Sequence, residues 1–223
     1  VNTGGFYENP SNIAVDFAVD NNLTDSLYSG STKLLPLPSG YYSLSDASKI
    51  NVPAGKSNGG VTVQLTEAFL ADPLAIGLKY VVPLKITNST TDSVLSGKPN
   101  IANPDPRIPG NWVIPPMNFT LFGIKYVNEA HGTYLLRGKS EIRRTVPDTI
   151  IETQTYRKMF PELDEVVSLP TVARYGVTYE NSIRVTGGSP GKFEMLITYN
   201  ESGTGTIVNT SKYTAVVNGT ATY

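Results

Sequence analysis

Apolar and polar residues alternate along this chain in short runs, which clusters of glycine, proline and asparagine separate. Successive residues of a β-strand point to opposite faces, so an apolar side chain at every second position marks a strand with one buried face. Ile13, Val15, Phe17 and Val19 follow this pattern and alternate with smaller or acidic residues. The alternation predicts a half-buried strand here and an all-β chain as a whole.

Further strands are predicted before residue 96. Apolar and polar residues alternate both before and after the glycine-rich turn 53–60. This pattern predicts one strand on each side of the turn. Residues 79–86 alternate as well, but the nitrogen of Pro83 cannot donate to a strand ladder. This strand is therefore predicted to lie at a sheet edge or to carry a bulge. Together the strands predict an immunoglobulin-like β-sandwich over residues 1–95.

Residues 96–117 have a different composition, with six prolines among asparagines and glycines. Proline at this density favours extended, polyproline-like backbone over a regular strand or helix. The sequence therefore predicts a linker between two domains at 96–117, and this linker contains Trp112, the only tryptophan.

Strands resume at residue 118 and follow one another closely to residue 223, with the clearest alternation in 192–199 and 213–223. About eight sequential strands with short turns predict an up-and-down, lipocalin-like meander. Closure of the meander into a barrel would remove its exposed edges, and a sandwich is the alternative.

The segment 128–132 is predicted as a hairpin turn that joins the strand 119–126 to the strand after it. Asn128, His131 and Gly132 are its structural residues. His131 is the only histidine and so the only side chain whose ordinary pKa suits general-base chemistry near neutrality. Because the Gly-x-Ser-x-Gly motif of serine hydrolases is absent, the turn is the better explanation of this histidine.

Charge and cysteine content exclude several classes of function. The chain has 18 Lys and Arg against 19 Asp and Glu, without the basic patch that nucleic-acid binding requires. Zero cysteines exclude thiol catalysis, disulfides and Cys-ligated metals, and a single histidine excludes a multi-His metal site. We predict no metal, no cofactor, no nucleic-acid partner and no transmembrane segment. Since the chain begins at Val1 without a signal sequence, we expect a mature or trimmed fragment.

Several motifs resemble a known family. The segments 37–44, 50–55 and 79–86 resemble the N-terminal β-sandwich module of secreted Bacteroidetes lipoproteins, and a similar module precedes the catalytic barrel of some family-18-type endoglycosidases. The later motifs resemble the C-terminal module of the stand-alone proteins, in the segments 119–128, 131–134, 137–139 and 164–171. Such proteins, of unassigned function, are encoded beside outer-membrane glycan-uptake systems of the starch-utilisation type. The resemblance implies a glycan-related role at the cell surface, with an N-terminal lipid anchor that is missing from this chain.

Carbohydrate binding requires exposed aromatic rings with polar groups beside them. Trp112 with nearby Arg107 is the first candidate, and a plug that seals the interface between the modules is the alternative role for this tryptophan. Tyr175 and Tyr179 are secondary candidates, for which half-buried sheet packing is the alternative.

Glycoside hydrolysis requires two carboxylates about 5–10 Å apart. The cluster Glu162, Asp164 and Glu165 is one candidate set, and the pair Glu141 and Glu152, on neighbouring strands, is another. Clustered acids on a β protein are usually a solvated face, and catalysis in the endoglycosidases resides in a barrel that this chain lacks. We therefore predict a non-catalytic surface module that binds glycan or glycoprotein for an outer-membrane uptake system. The alternatives are an accessory or adhesin-type protein that contacts partner proteins of the uptake complex and, third, a glycoside hydrolase.

Overall fold

The computed structural model describes residues 1–2, 9–91, 93–144, 146–183, 186, 191–210, 212–213 and 218–222. It divides into two compact units, Val1–Tyr126 and Val127–Tyr223. Its regular secondary structure is mainly strand, with only short helical turns, which confirms the all-β prediction. No helix in these ranges is long and apolar enough to cross a membrane.

The strands of the first unit are β1 Ile13–Val19, β2 Tyr28–Ser29, β3 Thr32–Lys33, β4 Leu35–Pro36, β5 Tyr42–Leu44, β6 Lys49–Val52, β7 Val63–Leu65, β8 Tyr80–Ser89, β9 Lys98–Pro99, β10 Trp112–Ile114 and β11 Phe119–Ile124. One helical turn, α1 Glu67–Leu70, accompanies them, with short 3₁₀ helices at Asn21–Thr24, Ser39–Tyr41, Pro73–Ala75 and Pro109–Asn111. In the second unit the strands are β12 Gly132–Leu136, β13 Lys139–Arg144, β14 Thr149–Thr155, β15 Glu165–Leu169, β16 Thr171–Ala173, β17 Gly176–Ile183, β18 Gly191–Tyr199, β19 Thr204–Asn209 and β20 Asn218–Thr222, with a 3₁₀ helix at Pro161–Leu163.

The first unit is built on a five-stranded sheet in the order β11-β8-β1-β6, to which β4 adds in parallel beside β8. Leu44 of β5 and Leu65 of β7 pack on this sheet from a second layer. The apolar residues buried between the layers include Val15, Phe17, Leu37, Ile50, Phe69, Tyr80 and Val82. This two-layer packing is the predicted sandwich, in which alternate residues of each strand face the core.

Pro83 lies in an interior strand, so the edge alternative of its prediction was wrong. The other alternative, a bulge, fits the register shift in the β1–β8 pairing, although this shift lies between Ile86 and Asn88 and not at Pro83. The backbone N–H of Asp20 donates to the carbonyl oxygen of Pro83 at 3.0 Å. The proline nitrogen points to the same side of β8 as its carbonyl. On this side β1 ends at Val19, and β4 pairs with β8 only as far as Val81. The missing N–H therefore falls in a gap between two strands and leaves no ladder bond unmade.

The Pro-rich segment 96–117 belongs to the first unit, which corrects its predicted place as a linker. Within it β9 pairs with β10, and the N–H of Asn100 donates to the carbonyl of Asn111 at 3.0 Å. β11 then pairs with β8 along its whole length, so the second unit begins at Val127 and not at residue 118. A proline lacks the N–H donor but keeps its carbonyl acceptor. The N–H groups of the other residues, such as Asn100, make the hydrogen bonds that hold this segment in the first unit.

The second unit contains an antiparallel meander in which consecutive strands are neighbours, in the order β16-β17-β18-β19-β20. This half-barrel confirms the up-and-down prediction. Val177, Ile197 and Ile207 are register partners across three strands and share its apolar face. Two further strand pairs, β12 with β15 and β13 with β14, complete the pairings of the described residues. Of the strand predicted at 213–223, positions 214–217 and 223 lie outside those residues.

A carboxylate anchors two core tyrosines in the first unit. The hydroxyl groups of Tyr80 and Tyr41 both donate to Oδ2 of Asp72, at 2.5 Å and 3.1 Å, and the N–H of Leu74 donates to Oδ1 at 2.9 Å. The rings of Tyr41 and Tyr80 meet edge to face with centroids 5.8 Å apart. The hydrogen bond from Tyr80 is the main cause that lowers the pKa of Asp72 below its ordinary value.

We predict that Asp72→Asn destabilises the first unit by about 1–3 kcal/mol at pH 7, because two tyrosine hydroxyls lose an ionised acceptor. The folded-state pKa of Asp72 is lowered, so its contribution is present above the ordinary carboxyl pKa of about 3.9 and is lost as the pH falls below it. The variant should therefore lose less stability than the wild type on acidification. Denaturant unfolding at pH 7 and pH 3 measures both effects. Asp25→Asn, at an exposed carboxylate, is the matched control, and equal losses in the two variants would contradict the assignment.

Candidate functional site

Asn128 fastens the start of the second unit to the turn between β16 and β17. The residue is 5% exposed. Its side-chain Nδ2 donates to the carbonyl oxygens of Ala173 and Gly176, at 3.1 Å and 2.9 Å. Its backbone N–H donates to Oγ1 of Thr171 at 3.1 Å. A carboxamide supplies two donors at one point, so it pairs with both the buried carbonyl of Gly176 and the partly buried carbonyl of Ala173.

His131 holds the same corner. Its Nδ1 accepts the backbone N–H of Thr171 at 3.0 Å and lies 3.2 Å from the hydroxyl of that residue. Its own backbone N–H donates to the carbonyl of Asn128 at 3.1 Å. The sequence predicted Asn128, His131 and Gly132 in a hairpin turn. The hydrogen bond between Asn128 and His131 closes a turn, but Gly132 is already the first residue of β12. The predicted hairpin was wrong, because β11 pairs with β8 and β12 pairs with β15. Sequence alternation shows that a strand exists without showing its partner.

Tyr134 is held over Gly132 at the beginning of β12. A Cβ atom placed on Gly132 would lie 3.3 Å from Cε2 of the tyrosine ring, so the absence of a side chain there lets the ring lie close to the backbone. The hydroxyl of Tyr134 donates to the carbonyl of Ala130 at 2.9 Å. The hydroxyl end of the ring is thereby held by Gly132 and Ala130, although the residue is 41% exposed.

Tyr134 lines a pocket of about 260 Å³ on the apolar side of the half-barrel. Val177 and Tyr199, which are 2% and 8% exposed, form its deep part together with Ile197. Exposed Glu129 and Thr222 line it as well. The pocket is close to the lower end of the range of about 300–1,000 Å³ for small-molecule sites, so a ligand held here extends into solvent.

The predicted candidates Tyr175 and Tyr179 belong to this unit but do not line the pocket. Tyr175 meets Tyr199 edge to face, with ring centroids 5.9 Å apart, and its hydroxyl donates to Glu201 at 3.3 Å. Tyr179 packs in the same manner on Phe193 at 5.8 Å. Tyr175 therefore packs on Tyr199, which lines the pocket, whereas Tyr179 packs on Phe193 of the sheet.

Trp112 and Arg107, the other predicted candidates, lie in the first unit. Half-buried Trp112 donates its indole N–H to the carbonyl of Asp105 at 2.8 Å. Arg107 forms a fork on the Asp105 carboxylate, at 2.9 Å and 2.6 Å, and donates to the carbonyl of Leu23 at 3.2 Å. The hydrogen bond from Arg107 lowers the pKa of Asp105. The polar groups of both candidates are thus engaged in local structure, and the adjoining hollow is only about 140 Å³. Ligand binding at this place stays a prediction.

The predicted catalytic pair does not have the geometry of a glycosidase. Ile142 pairs with Glu152 and Glu141 pairs with Thr153, so the two carboxylates lie on opposite faces of the β13–β14 hairpin. The hydrogen bond from Lys139 lowers the pKa of Glu141, and the hydroxyl of Thr186 lowers the pKa of Glu152. A general acid requires the opposite shift.

The other predicted acidic cluster is divided as well. The carboxylate of Asp164 is fully buried and ion-paired with Arg137, whereas Glu162 is exposed. In the described ranges no group of three or more His, Asp or Glu residues is placed to hold a metal ion.

Comparisons with known proteins match the two parts separately. Residues 1–93 match a family model described as an N-terminal domain, and residues 129–223 match a domain of unknown function, DUF5627. A search of curated proteins gave no match.

Two solved structures resemble the whole chain. A Bacteroides ovatus protein of unknown function is 35% identical, with a TM-score of 0.84 over 97% of this chain and 68% of that protein. An auxiliary nutrient binding protein from Bacteroides thetaiotaomicron is 15% identical, with a TM-score of 0.42 over 95% of this chain and 61% of that protein. The second likeness is too distant to carry an argument about this molecule.

We predict that Asn128→Ala lowers the free energy of unfolding of the second unit by about 2–4 kcal/mol, because the buried carbonyl of Gly176 and the partly buried carbonyl of Ala173 lose a donor. Denaturant unfolding gives the size of the loss, and amide hydrogen exchange of Gly176 shows whether the turn opens locally. Thr133→Ala, at an exposed position on the adjoining strand, is the control and should cost less than about 0.5 kcal/mol. Equal losses in both variants, or unchanged exchange at the turn, would contradict the role given to Asn128.

Proposed function

The chain belongs to the family of the Bacteroides ovatus protein, and on that premise we propose that it is a non-catalytic binding protein that holds a carbohydrate in the pocket of its second unit. The observation that carries the proposal is the position of Tyr134. Its ring is fixed between Gly132 and the carbonyl of Ala130, yet remains accessible at an apolar hollow.

A sugar ring needs an aromatic surface for its C–H groups and polar atoms for its hydroxyls. Tyr134 provides an accessible ring with a polar end, and Tyr199, whose hydroxyl is buried, contributes aromatic surface to the pocket. Glu129 and Thr222 provide a carboxylate and a hydroxyl in the same lining. Because Tyr134 is already held in place, binding requires little further ordering of that side chain. This combination of a fixed ring, an apolar floor and a few polar groups is what a small carbohydrate site requires.

The lining also supports binding over hydrolysis. Glu129 is the only carboxylate among the residues that line the pocket, whereas glycoside hydrolysis uses two. The pair predicted on β13 and β14 lies on opposite faces and has lowered pKa values. A ligand in this pocket would therefore be retained and released unchanged.

We further propose a location at the cell surface, through a lipid anchor outside this chain, and delivery of the ligand to an outer-membrane uptake system. The support for both is the resemblance of the segments 119–128, 131–134 and 137–139 to surface lipoproteins encoded beside such systems.

An accessory role in contact with partner proteins is the second candidate. Exposed apolar side chains cluster around the 3₁₀ helix Pro161–Leu163, where Met159 is 87% exposed, Phe160 53% and Leu163 62%. Apolar groups gathered on a surface are typical of protein contacts. Co-purification with uptake-complex proteins in the absence of any glycan affinity would favour this role.

We predict that Tyr134→Ala weakens glycan binding about tenfold, which corresponds to about 1.4 kcal/mol for the loss of an aromatic contact. Isothermal titration against a panel of neutral plant and host oligosaccharides measures the effect. Tyr134→Phe keeps the ring but not its anchor on Ala130, so a smaller loss is expected. Tyr28→Ala removes a tyrosine that is 57% exposed in the first unit and is the matched control.

The fluorescence of Trp112 separates the two sets of candidate residues, because it is the only tryptophan of the chain. Its emission should stay unchanged while calorimetry reports binding at the pocket. A shift of its emission together with wild-type affinity in Tyr134→Ala would move the site to the first unit. Absence of binding across the whole panel would contradict the pocket proposal.

A further inference from the structure

Basic residues are concentrated in one part of the second unit. Residues 137–158 contain six Lys and Arg against three acidic residues, a net charge of +3 in a chain whose total is −1. A local excess of this kind attracts anions even when the whole molecule is slightly acidic. The basic residues are Arg137, Lys139, Arg143, Arg144, Arg157 and Lys158.

Three of these cations line a groove at one end of the β13–β14 hairpin. The groove is open to solvent, has a volume of about 450 Å³ and is lined by Arg137, Gly138, Lys139, Thr155 and Arg157. Lys139 and Thr155 are register partners, and the N–H of Tyr156 donates to the carbonyl of Gly138 at 2.9 Å. The lining therefore combines three positive charges and a hydroxyl, with no acidic residue among its members.

Arg137 is held in place by an ion pair with a buried carboxylate. Its Nε lies 2.5 Å from Oδ2 of Asp164, whose side chain has no exposed surface. The other oxygen of Asp164 accepts the backbone N–H of Lys158 at 2.8 Å, which ties the segment after β14 to the same point. The guanidinium also donates from Nη2 to the carbonyl of Lys158 at 3.4 Å. Because it has five N–H groups, these contacts orient Arg137 and leave further donors for a ligand.

The other two cations are less neutralised. Lys139 is paired with Glu141, but this carboxylate is shared with Arg143 at 3.1 Å, and the side chain of Lys139 is 66% exposed. Arg157 is exposed and has no hydrogen-bond or ionic partner within the part of the chain that the structure describes. The groove thus presents a net positive charge to solvent.

We propose that this groove binds the anionic groups of an acidic glycan, either sulfate esters or uronate carboxylates. Arginine forks and a lysine ammonium match these oxygens with charge-assisted hydrogen bonds. A Cβ atom built on Gly138 would meet no atom within 4 Å, so a bulky polymer can approach the backbone at this point. The inference rests on the proposed function, since it takes the ligand to be a carbohydrate, and it adds the chemical class and a second contact region.

The test compares chondroitin sulfate and polygalacturonate with neutral dextran, by isothermal titration of the whole chain at low and at physiological salt. The wild type should bind both acidic polymers more tightly than dextran, and the difference should shrink as the salt concentration rises. Arg157→Gln should weaken binding to the acidic polymers about tenfold and leave dextran unchanged. Lys56→Gln, at an exposed lysine of the first unit, removes the same charge elsewhere and is the matched control.

Gly138→Leu fills the groove without changing any charge and should weaken acidic-polymer binding as Arg157→Gln does. Thermal unfolding of each variant shows whether it is folded. The proposal is overturned if acidic polymers bind no more tightly than dextran, if Lys56→Gln costs as much as Arg157→Gln, or if folded Gly138→Leu binds normally. Polyglutamate is the non-sugar arm, and binding as tight as that of polygalacturonate would overturn the carbohydrate assignment.

These outcomes separate the groove from the pocket. Binding to neutral sugars that depends on Tyr134, without any preference for acidic polymers, would remove the groove proposal alone. Acidic-polymer binding that depends on Arg157 and not on Tyr134 would remove the pocket proposal alone.

Discussion

The buried carboxamide of Asn128 is the contact on which the candidate site depends. It donates to two carbonyl oxygens in the β16–β17 turn, and the imidazole of His131 accepts a further N–H from Thr171 beside it. These bonds fix where the chain enters β12, and so where Gly132 and Tyr134 stand against the half-barrel. A loop with no such anchor would leave the tyrosine ring free to turn away, and the hollow over Val177 would lose one of its walls.

Alternation in the sequence was sufficient for the all-β class and for the meander, because both follow from the period of two along single strands. The alternation did not show which strands pair with each other. The strand Phe119–Ile124 was assigned to the wrong unit because a run that is apolar on both sides fits any sheet. The edge that it joins, on β8, lies more than thirty residues earlier in the sequence. The edge-strand prediction from Pro83 was wrong for the same reason. Only the positions where β1 and β4 end show that the proline nitrogen faces a gap between them.

The site was predictable only in part. The residues His131, Gly132 and Tyr134 belong to a motif by which the chain resembles surface lipoproteins, but the motif does not show where the Tyr134 ring lies, because its position depends on contacts with Gly132 and Ala130. The polar atoms of Trp112 and Arg107 were expected to face a ligand, but local hydrogen bonds to Asp105 and Leu23 engage them. An aromatic residue in a sequence shows that a ring is present for a sugar to stack on. Whether that ring is accessible to a ligand depends on the fold.

The most direct test of the account is NMR mapping of backbone amide shifts in the whole chain during titration with an oligosaccharide that binds. We predict that the largest shift changes fall in residues 129–134, 197–203 and 221–222, around the pocket. Changes confined to the first unit, around Trp112 and Arg107, would contradict the central claim.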